Sequence, residues 1–364
     1  IGPKSNEGSL PPYIRNFVSA LEEKKADVTW IGSLGVPYNH DENCFLTYLE
    51  IRQQAMNICD SVNIKDYDII SLHYGNLEVE QLVPLILSGS NHPPIVYHCH
   101  TLRPTLFEKH VDMPNIQEQI LKTHYSFGCY VFFGKFAYQY FNQNGCRINK
   151  HKKAWLPTTI TQKDFENTFQ QASGNKKKVS LYGFAAPWKD IQTFLNACES
   201  TEIPFNFELH GPFWDDESQS GFDLSHPAFS LNQPQIKLNS SYVDSSSRCS
   251  LINKSHLGLF PYKSHPSFQG SGAIADYLAL GKPIIASDIA NMAELIGDAG
   301  IVFPAGDSKK LAAAIDYALS DNNYHTLEKE AKARAHMFTP AYHVQKCLNL
   351  YKEITMHQVG YVYE

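Results

Sequence analysis

Phe268-Gln-Gly-Ser-Gly-Ala-Ile-Ala-Asp-Tyr-Leu-Ala-Leu-Gly281-Lys-Pro283 joins a glycine-rich loop to a short apolar helix. Gly270, Ser271 and Gly272 form the loop, Ala273 to Leu280 carry the helical pattern, and Gly281 and Pro283 stop it. The first N–H groups of such a helix, from Gly270 to Ala273, have no carbonyl four residues back and lie at the positive end of the dipole. That arrangement suits a phosphate. One turn in, the Asp276 carboxylate can reach sugar hydroxyls, so the local reading is a nucleoside diphosphate at a loop–helix junction. Gly-x-Gly before a helix is common, and alone it is as a rule only a tight turn.

Other groups strengthen the phosphate reading. In Gly183-Phe-Ala-Ala-Pro-Trp-Lys189, a strand-to-helix junction carries a lysine whose ammonium can neutralise a departing diphosphate. The bland alternative is a solvated lysine opening a helix. Ile95-Val-Tyr-His-Cys-His100 and Tyr67-Asp-Ile-Ile-Ser-Leu-His73 read as strands that end in histidine, where an imidazole can donate to a sugar hydroxyl. His98-Cys99-His100 has ligand types for a metal, but strand alternation sends the two histidines to one face and Cys99 to the other. No metal site is expected.

The chain has 364 residues, 43% hydrophobic and 19% charged, which allows two domains with separate cores. A net charge of −6 argues against a nucleic-acid partner. No apolar run is long enough to span a membrane, and the start does not have the pattern of a signal peptide. Eight cysteines without Cys-x-x-Cys pairs suggest reduced, buried thiols and a cytoplasmic location. Tyr and Phe are abundant but scattered, as in core and cleft walls rather than a stacking platform.

Apolar runs alternate with helical patterns, which predicts parallel sheets covered by helices. Asp27–Leu34, Tyr67–His73, Pro94–Cys99 and Cys129–Phe133 read as strands, with helices over Pro12–Lys24, Asn115–His124 and Phe136–Asn142. After a polar connection over Thr158–Lys178, a second series reads Val179–Tyr182, Phe205–His210, Ile236–Leu238, Leu257–Phe260, Ile284–Ala286 and Gly300–Phe303. Phe213–Ser230 reads as a loop insertion. The expected fold is α/β with two doubly wound Rossmann-like domains facing a central cleft, where ligands bind at the carboxyl ends of the strands. The boundaries are 1–158, 159–335 and a C-terminal helix region, 336–364, that crosses back to the first domain with a structural role. The chain opens inside a Gly-containing loop, so the first central strand is expected to precede Ile1 unless the sheet is built differently.

Gly281-Lys-Pro-Ile-Ile-Ala-Ser-Asp288, Ala293-Glu-Leu-Ile-Gly-Asp-Ala-Gly300 and Pro304-Ala-Gly-Asp307 resemble the C-terminal domain of retaining, nucleotide-sugar-dependent glycosyltransferases of the GT-B fold, specifically family 4. The similarity runs from about Lys177 to Ile354 and is thinner over the first half. It implies transfer of a sugar from a nucleotide diphosphate donor, UDP first, to an acceptor hydroxyl with retention and without a divalent metal. The acceptor would be a glycan, a lipid-linked group or a protein, with contact to a membrane surface or partner subunit also open. By resemblance Lys189 is the phosphate lysine and His100 the histidine beside the transferred sugar. Phe184 stands where the family has a second cation, for which Arg103 and Lys263 are substitutes. The family's paired glutamates fall on Asp276 for ribose and, one residue off register, on Gln269 for the sugar. Gly8 and Ser9 would add backbone donors to the diphosphate, while Gly183 and Gly211 line the nucleotide pocket and Tyr242-Val243 seats the base. The degraded acidic motif leaves two alternatives, a non-catalytic GT-B subunit that binds a glycan, peptide or partner enzyme, and sugar-nucleotide epimerisation.

Overall fold

Short strands with no polar interruption bury both faces, so they pair in parallel under helices and form two separate sheets. The structure is a computed structural model. It describes residues 1–4, 10–34, 38–39, 44–108, 113–166, 176–213, 221–266 and 268–359. One compact unit contains Ile1–Trp155, Pro266–Gln269 and Pro340–Glu364; the other contains Leu156–His265 and Gly270–Thr339. The excursion of Pro266–Gln269 into the first unit is a division that the sequence boundaries did not contain.

The first unit begins with α1 (Leu10–Glu23), the short antiparallel pair β1 (Tyr38–Asn39) and β2 (Cys44–Phe45), and α2 (Tyr48–Asp60). There follow β3 (Ile70–Tyr74), α3 (Val83–Leu87), β4 (Ile95–Cys99), α4 (Pro114–His124), β5 (Gly128–Phe132), α5 (Lys135–Gln143) and β6 (Ile148–Lys153). Strands β3-β4-β5-β6 form one parallel sheet in that order. Asp27–Leu34 is not a strand. Instead Ile1–Lys4 runs extended along β3, with His73 N–H donating to the Ile1 carbonyl at 2.8 Å. Gly2 and Lys4 N–H donate to the carbonyls of Ile31 and Ser33 at 3.0 and 2.7 Å. Ile1–Lys4 therefore lies beside β3, where a first central strand would stand. β6 was missed because Ile-Asn-Lys-His-Lys-Lys is an edge strand with alternating exposure and little apolar content.

The second unit holds α6 (Gln162–Glu166), β7 (Lys177–Tyr182), α7 (Ile191–Cys198), β8 (Phe205–His210), β9 (Gln235–Asn239), α8 (Ser245–Lys254), β10 (Leu257–Phe260) and α9 (Gly272–Ala279). It continues through β11 (Ile284–Ser287), α10 (Met292–Ile296), β12 (Gly300–Phe303), α11 (Ser308–Leu319) and α12 (Asp321–Arg334). The sheet order β12-β11-β10-β7-β8-β9 is a doubly wound arrangement whose direction of winding reverses between β7 and β10. That reversal opens a crevice at the carboxyl ends of these two strands, and the site below is built on it. Tyr242-Val243, read as strand-like, is a loop between β9 and α8.

The last helix, α13 (Pro340–Val359), belongs to the first unit. There Glu353 on α13 pairs with Lys152 of β6 at 2.5 Å. Among the described residues no helix is long and apolar enough to cross a membrane, and Cys59, Cys99, Cys129, Cys146, Cys198, Cys249 and Cys347 are free thiols.

Two glycines at strand ends hold the crevice loops together. Gly183 (φ 105°) and Gly211 (φ 144°) follow β7 and β8 in backbone conformations that side chains rarely adopt. A Cβ on Gly211 would stand 2.3 Å from the Gly183 carbonyl oxygen, and the backbone there cannot yield. Gly211→Ala should therefore lose about 2 kcal/mol or more of stability. Urea unfolding with an unchanged midpoint would show that the two loops are not laced in this way.

Candidate functional site

In the second unit the crevice is organised around Lys189. The chain leaves β7 at Gly183, makes a single turn at Pro187–Lys189 and starts α7 after Asp190, which is left-handed at φ 46°. This loop folds the lysine back, so that it is buried and its Nζ donates to the Tyr182 carbonyl at 3.1 Å and to the Tyr262 hydroxyl at 3.2 Å. An ammonium has three hydrogens, and these two bonds leave one for a ligand. A Cβ on Gly183 would be 2.7 Å from Nζ, so glycine is needed for the lysine to lie over the strand end. Tyr262 follows β10 and stands 3.5 Å from the Ser271 hydroxyl at the start of α9.

Ser271 is the N-cap of α9, yet its side chain does not cap the helix. The helix's opening N–H groups therefore lack the usual internal acceptor. Gly270 and Gly272 are informative for a different reason. Neither has positive φ, and among the described residues only the Leu156 side chain, 3.9 Å from Gly272, comes within 4 Å of an added Cβ. Neither backbone strain nor packing requires glycine there, whereas close approach of a ligand to the backbone would.

Asp276 does not present an open carboxylate. It is wholly buried, and its Oδ1 accepts from the Thr158 hydroxyl at 2.6 Å and from Thr159 N–H at 2.8 Å. Its Oδ2 accepts from the Thr159 hydroxyl at 3.1 Å, from the Tyr182 hydroxyl, and from Arg248 at 3.4 Å. The ribose contact expected from the motif finds no free oxygen, which corrects that part of the sequence reading. Burial pushes the Tyr182 hydroxyl well above its ordinary pKa, with the adjacent Asp276 adding to the shift.

The substitutes for the missing cation separate. Lys263 donates its N–H to the Trp188 carbonyl at 2.8 Å, and its Nζ pairs with Asp190 at 3.3 Å, beside the Lys189 loop. Arg103 pairs with Glu108 in the first unit. Arg248, which sequence reading passed over on the polar helix α8, is a further cation of this region and is held on Asp276. Tyr262 was also missed, though its place just past a strand's carboxyl end was a usable signal.

In the first unit Gln269 reaches the end of β4, next in sequence to His100. The Gln269 amide donates to the carbonyl of Cys99, the residue before His100, while its own Oε1 is buried without a protein partner. His100 is half-buried, and its Nε2 lies 3.2 Å from His73 Nδ1. His98, on β4, and His100, just past its end, both lie against His73, whereas Cys99 packs into the apolar core. His98 and His343 approach Cys347 with their donor atoms within 4.8 Å, but the Tyr13 hydroxyl sits among them, 2.8 Å from His343 Nε2 and 3.3 Å from His98 Nδ1. Burial pulls His73 and His98 well below the ordinary imidazole pKa and pushes His100 and His343 down to about 3. Gly8 and Ser9 lie outside the described residues. A cleft of about 620 Å³ between Lys4, Ser33, Leu34, Gln54 and Ser61 carries none of the groups expected to do chemistry.

The fold is GT-B, as comparison with solved structures shows. Sucrose-phosphate synthase from Thermosynechococcus elongatus is 14% identical with TM-score 0.67, covering 98% of this chain and 96% of that one. Anabaena Alr3699/HepE in complex with UDP is 18% identical with TM-score 0.61, covering 84% and 81%. The N-terminal domain of Candida albicans trehalose-6-phosphate phosphatase is 14% identical with TM-score 0.62, covering 84% and 74%. Residues 183–321 match the family described as Glycosyl transferases group 1. No curated protein matches the chain.

Two outcomes follow from this geometry. Asp276→Ala leaves Arg248 without its counter-charge and should cost about 3–5 kcal/mol in urea unfolding without any nucleotide present. A variant of native stability would return Asp276 to the role of ligand contact. A buried histidine whose folded pKa lies below about 6.5 takes up protons more readily when unfolded. Stability is then full above pH ~6.5 and falls as the pH drops toward the folded value. Between pH 7 and 5.5, His73, His98 and His343 should each remove about 1 kcal/mol, read as a falling melting temperature. A flat profile over that range would show that these rings are not held neutral.

Proposed function

We propose that this chain is a glycosyltransferase that moves a sugar from a nucleoside diphosphate donor to an acceptor hydroxyl, with retention and without a divalent metal. The observation that carries the reading is Lys189, buried at the carboxyl ends of β7 and β10 with one ammonium hydrogen still to place. The match of residues 183–321 to Glycosyl transferases group 1 supports it. Lys189 and the N–H groups at Gly270–Ala273 would take the diphosphate and offset the charge that develops as it leaves. The open backbone at Gly270 and Gly272 lets phosphate oxygens approach closely. Lys263 stands in for the absent arginine, and Gly183 and Gly211 shape the loops below the nucleotide.

His100 and Gln269 would address the sugar. Gln269 Oε1 accepts from a sugar hydroxyl, and the imidazole of His100 contacts a second one. Asp276 works by holding Thr158, Thr159 and Tyr182 in place beneath α9 rather than by touching ribose. UDP is the expected nucleotide, supported by the HepE complexes with UDP and with UDP-glucose. The acceptor would be a glycan, a lipid-linked group or a protein, and the chemistry suits the cytoplasm.

A second reading, a non-catalytic subunit that binds a glycan, peptide or partner enzyme, is favoured by Phe184 in the arginine position and by the closed Asp276. The two part on nucleotide binding. UDP and UDP-glucose should raise the melting temperature with or without EDTA, because a ligand that binds only the folded state stabilises it. Lys189→Met, which keeps the aliphatic stem, should weaken UDP about tenfold or more, the loss of one charge-assisted contact. No shift with any nucleoside diphosphate or its sugar conjugates would favour the non-catalytic subunit.

A further inference from the structure

Four buried side chains from three elements of the first unit converge: Tyr13 of α1, His98 of β4, and His343 and Cys347 one turn apart on α13. The donor atoms of His98, His343 and Cys347 all lie within 4.8 Å of one another. Tyr13 OH is 2.8 Å from His343 Nε2 and 3.3 Å from His98 Nδ1, and Cys347 Sγ is 3.6 Å from His343 Nε2. A tetrahedral zinc ion with bonds of about 2.0–2.3 Å sets its donor atoms about 3.3–3.8 Å apart. The contacts of 3.3 and 3.6 Å have that length, and the 2.8 Å hydrogen bond would have to lengthen.

The hydrogens of this cluster do not balance without a cation. Burial holds His98 and His343 neutral, so each ring has one N–H and one lone pair. His343 Nδ1 faces the Trp155 carbonyl at 3.1 Å, and a carbonyl only accepts, so the lone pair is on Nε2. Tyr351 OH donates to Ser71 Oγ at 2.9 Å, so its oxygen, 2.8 Å from His98 Nε2, accepts from that ring. His98 therefore keeps its lone pair on Nδ1. Both lone pairs point at Tyr13, which has a single hydrogen. When Tyr13 donates to His343, His98 Nδ1 faces an oxygen lone pair at 3.3 Å. When Tyr13 donates to His98, the 2.8 Å contact with His343 Nε2 sets two lone pairs together. Cys347 meets His343 and does not help His98. A cation between these atoms removes the conflict, and the Trp155 carbonyl and Tyr351 hydroxyl already hold the outer ring nitrogens as metal-bound histidines require.

We propose that Tyr13, His98, His343 and Cys347 bind a divalent zinc-class cation, a structural centre that fastens α1 and α13 to β4. Imidazole and thiolate donors suit Zn²⁺ rather than the hard cations that take carboxylates and water. On binding, the Cys347 thiol and the Tyr13 phenol each lose their proton to solvent. The resulting thiolate and phenolate balance the charge of the ion, as a buried site requires. Of the run His98-Cys99-His100 only His98 takes part, and its partners come from distant helices, so no sequence spacing marks the site. The centre does not rest on the function proposed above, whose diphosphate chemistry does not use it.

The test unfolds the chain in urea with a chelator and refolds it with Co(II), with Zn(II) or without metal, followed by desalting. Loaded protein should hold about one cation per chain and release about two protons for each ion taken up at pH 7. Co(II) should show a thiolate charge-transfer band together with the intense visible bands of a tetrahedral site. Zn(II) should displace it and melt at a higher temperature than the metal-free form. The metal-free form is the one whose histidines should follow the pH dependence given above. Cys347→Ser should lose the charge-transfer band, while Cys129→Ser, on β5 and outside the cluster, should keep it. Where Cys347→Ser fails to refold, Tyr13→Phe keeps the thiolate and should lower the release to about one proton per ion. Refolded protein without stoichiometric metal, a band that survives Cys347→Ser, or an unchanged proton count in Tyr13→Phe would each overturn the centre.

Discussion

Asp276 is the constraint on which the second unit depends. Its two oxygens gather the hydroxyls of Thr158 and Thr159, the backbone N–H of Thr159, the phenol of Tyr182 at the end of β7, and the guanidinium of Arg248 on α8. Removing a charge from water costs several kcal/mol, so a buried carboxylate persists only where counter-charge and hydrogen bonds surround it. Asp276 meets both conditions. It thereby fixes α9 against the end of β7, and the glycine loop takes its position from α9.

Around that hub the polar groups divide by what they still have to offer. Thr158, Thr159 and Arg248 serve the carboxylate. Lys189 is held by two oxygens and keeps one hydrogen, so it is both placed and available. Pre-placement matters because a cation already desolvated and aimed needs no reorganisation when charge develops nearby. The loop at Gly270–Gly272 complements it with backbone donors, and these stay approachable because no side chain stands over them.

The histidines of the first unit follow a different logic. The buried rings of His73, His98 and His343 bond to two phenols, a serine and the half-buried His100, in an interior where an unpaired polar atom would cost about 1–3 kcal/mol. Such a network fixes the rings in position.

The elements proposed to hold phosphate were readable because they are local. Gly183, Lys189, Gly270 and Gly272 lie within short segments whose turn and helix signals fix the backbone, and the strand series from Val179 to Phe303 follows from apolar runs that parallel sheets require. The sequence by itself determined the doubly wound architecture and the loop–helix seat, since periodicity and glycine act through neighbouring residues. Only the tertiary structure decided that Asp276 is enclosed, because Thr158 and Arg248 reach it from distant segments. It alone placed Ile1–Lys4 against β3, since four residues carry no periodicity. It alone brought His343 and Tyr351 to His98, for a helix's pattern shows which face is buried but not what it meets.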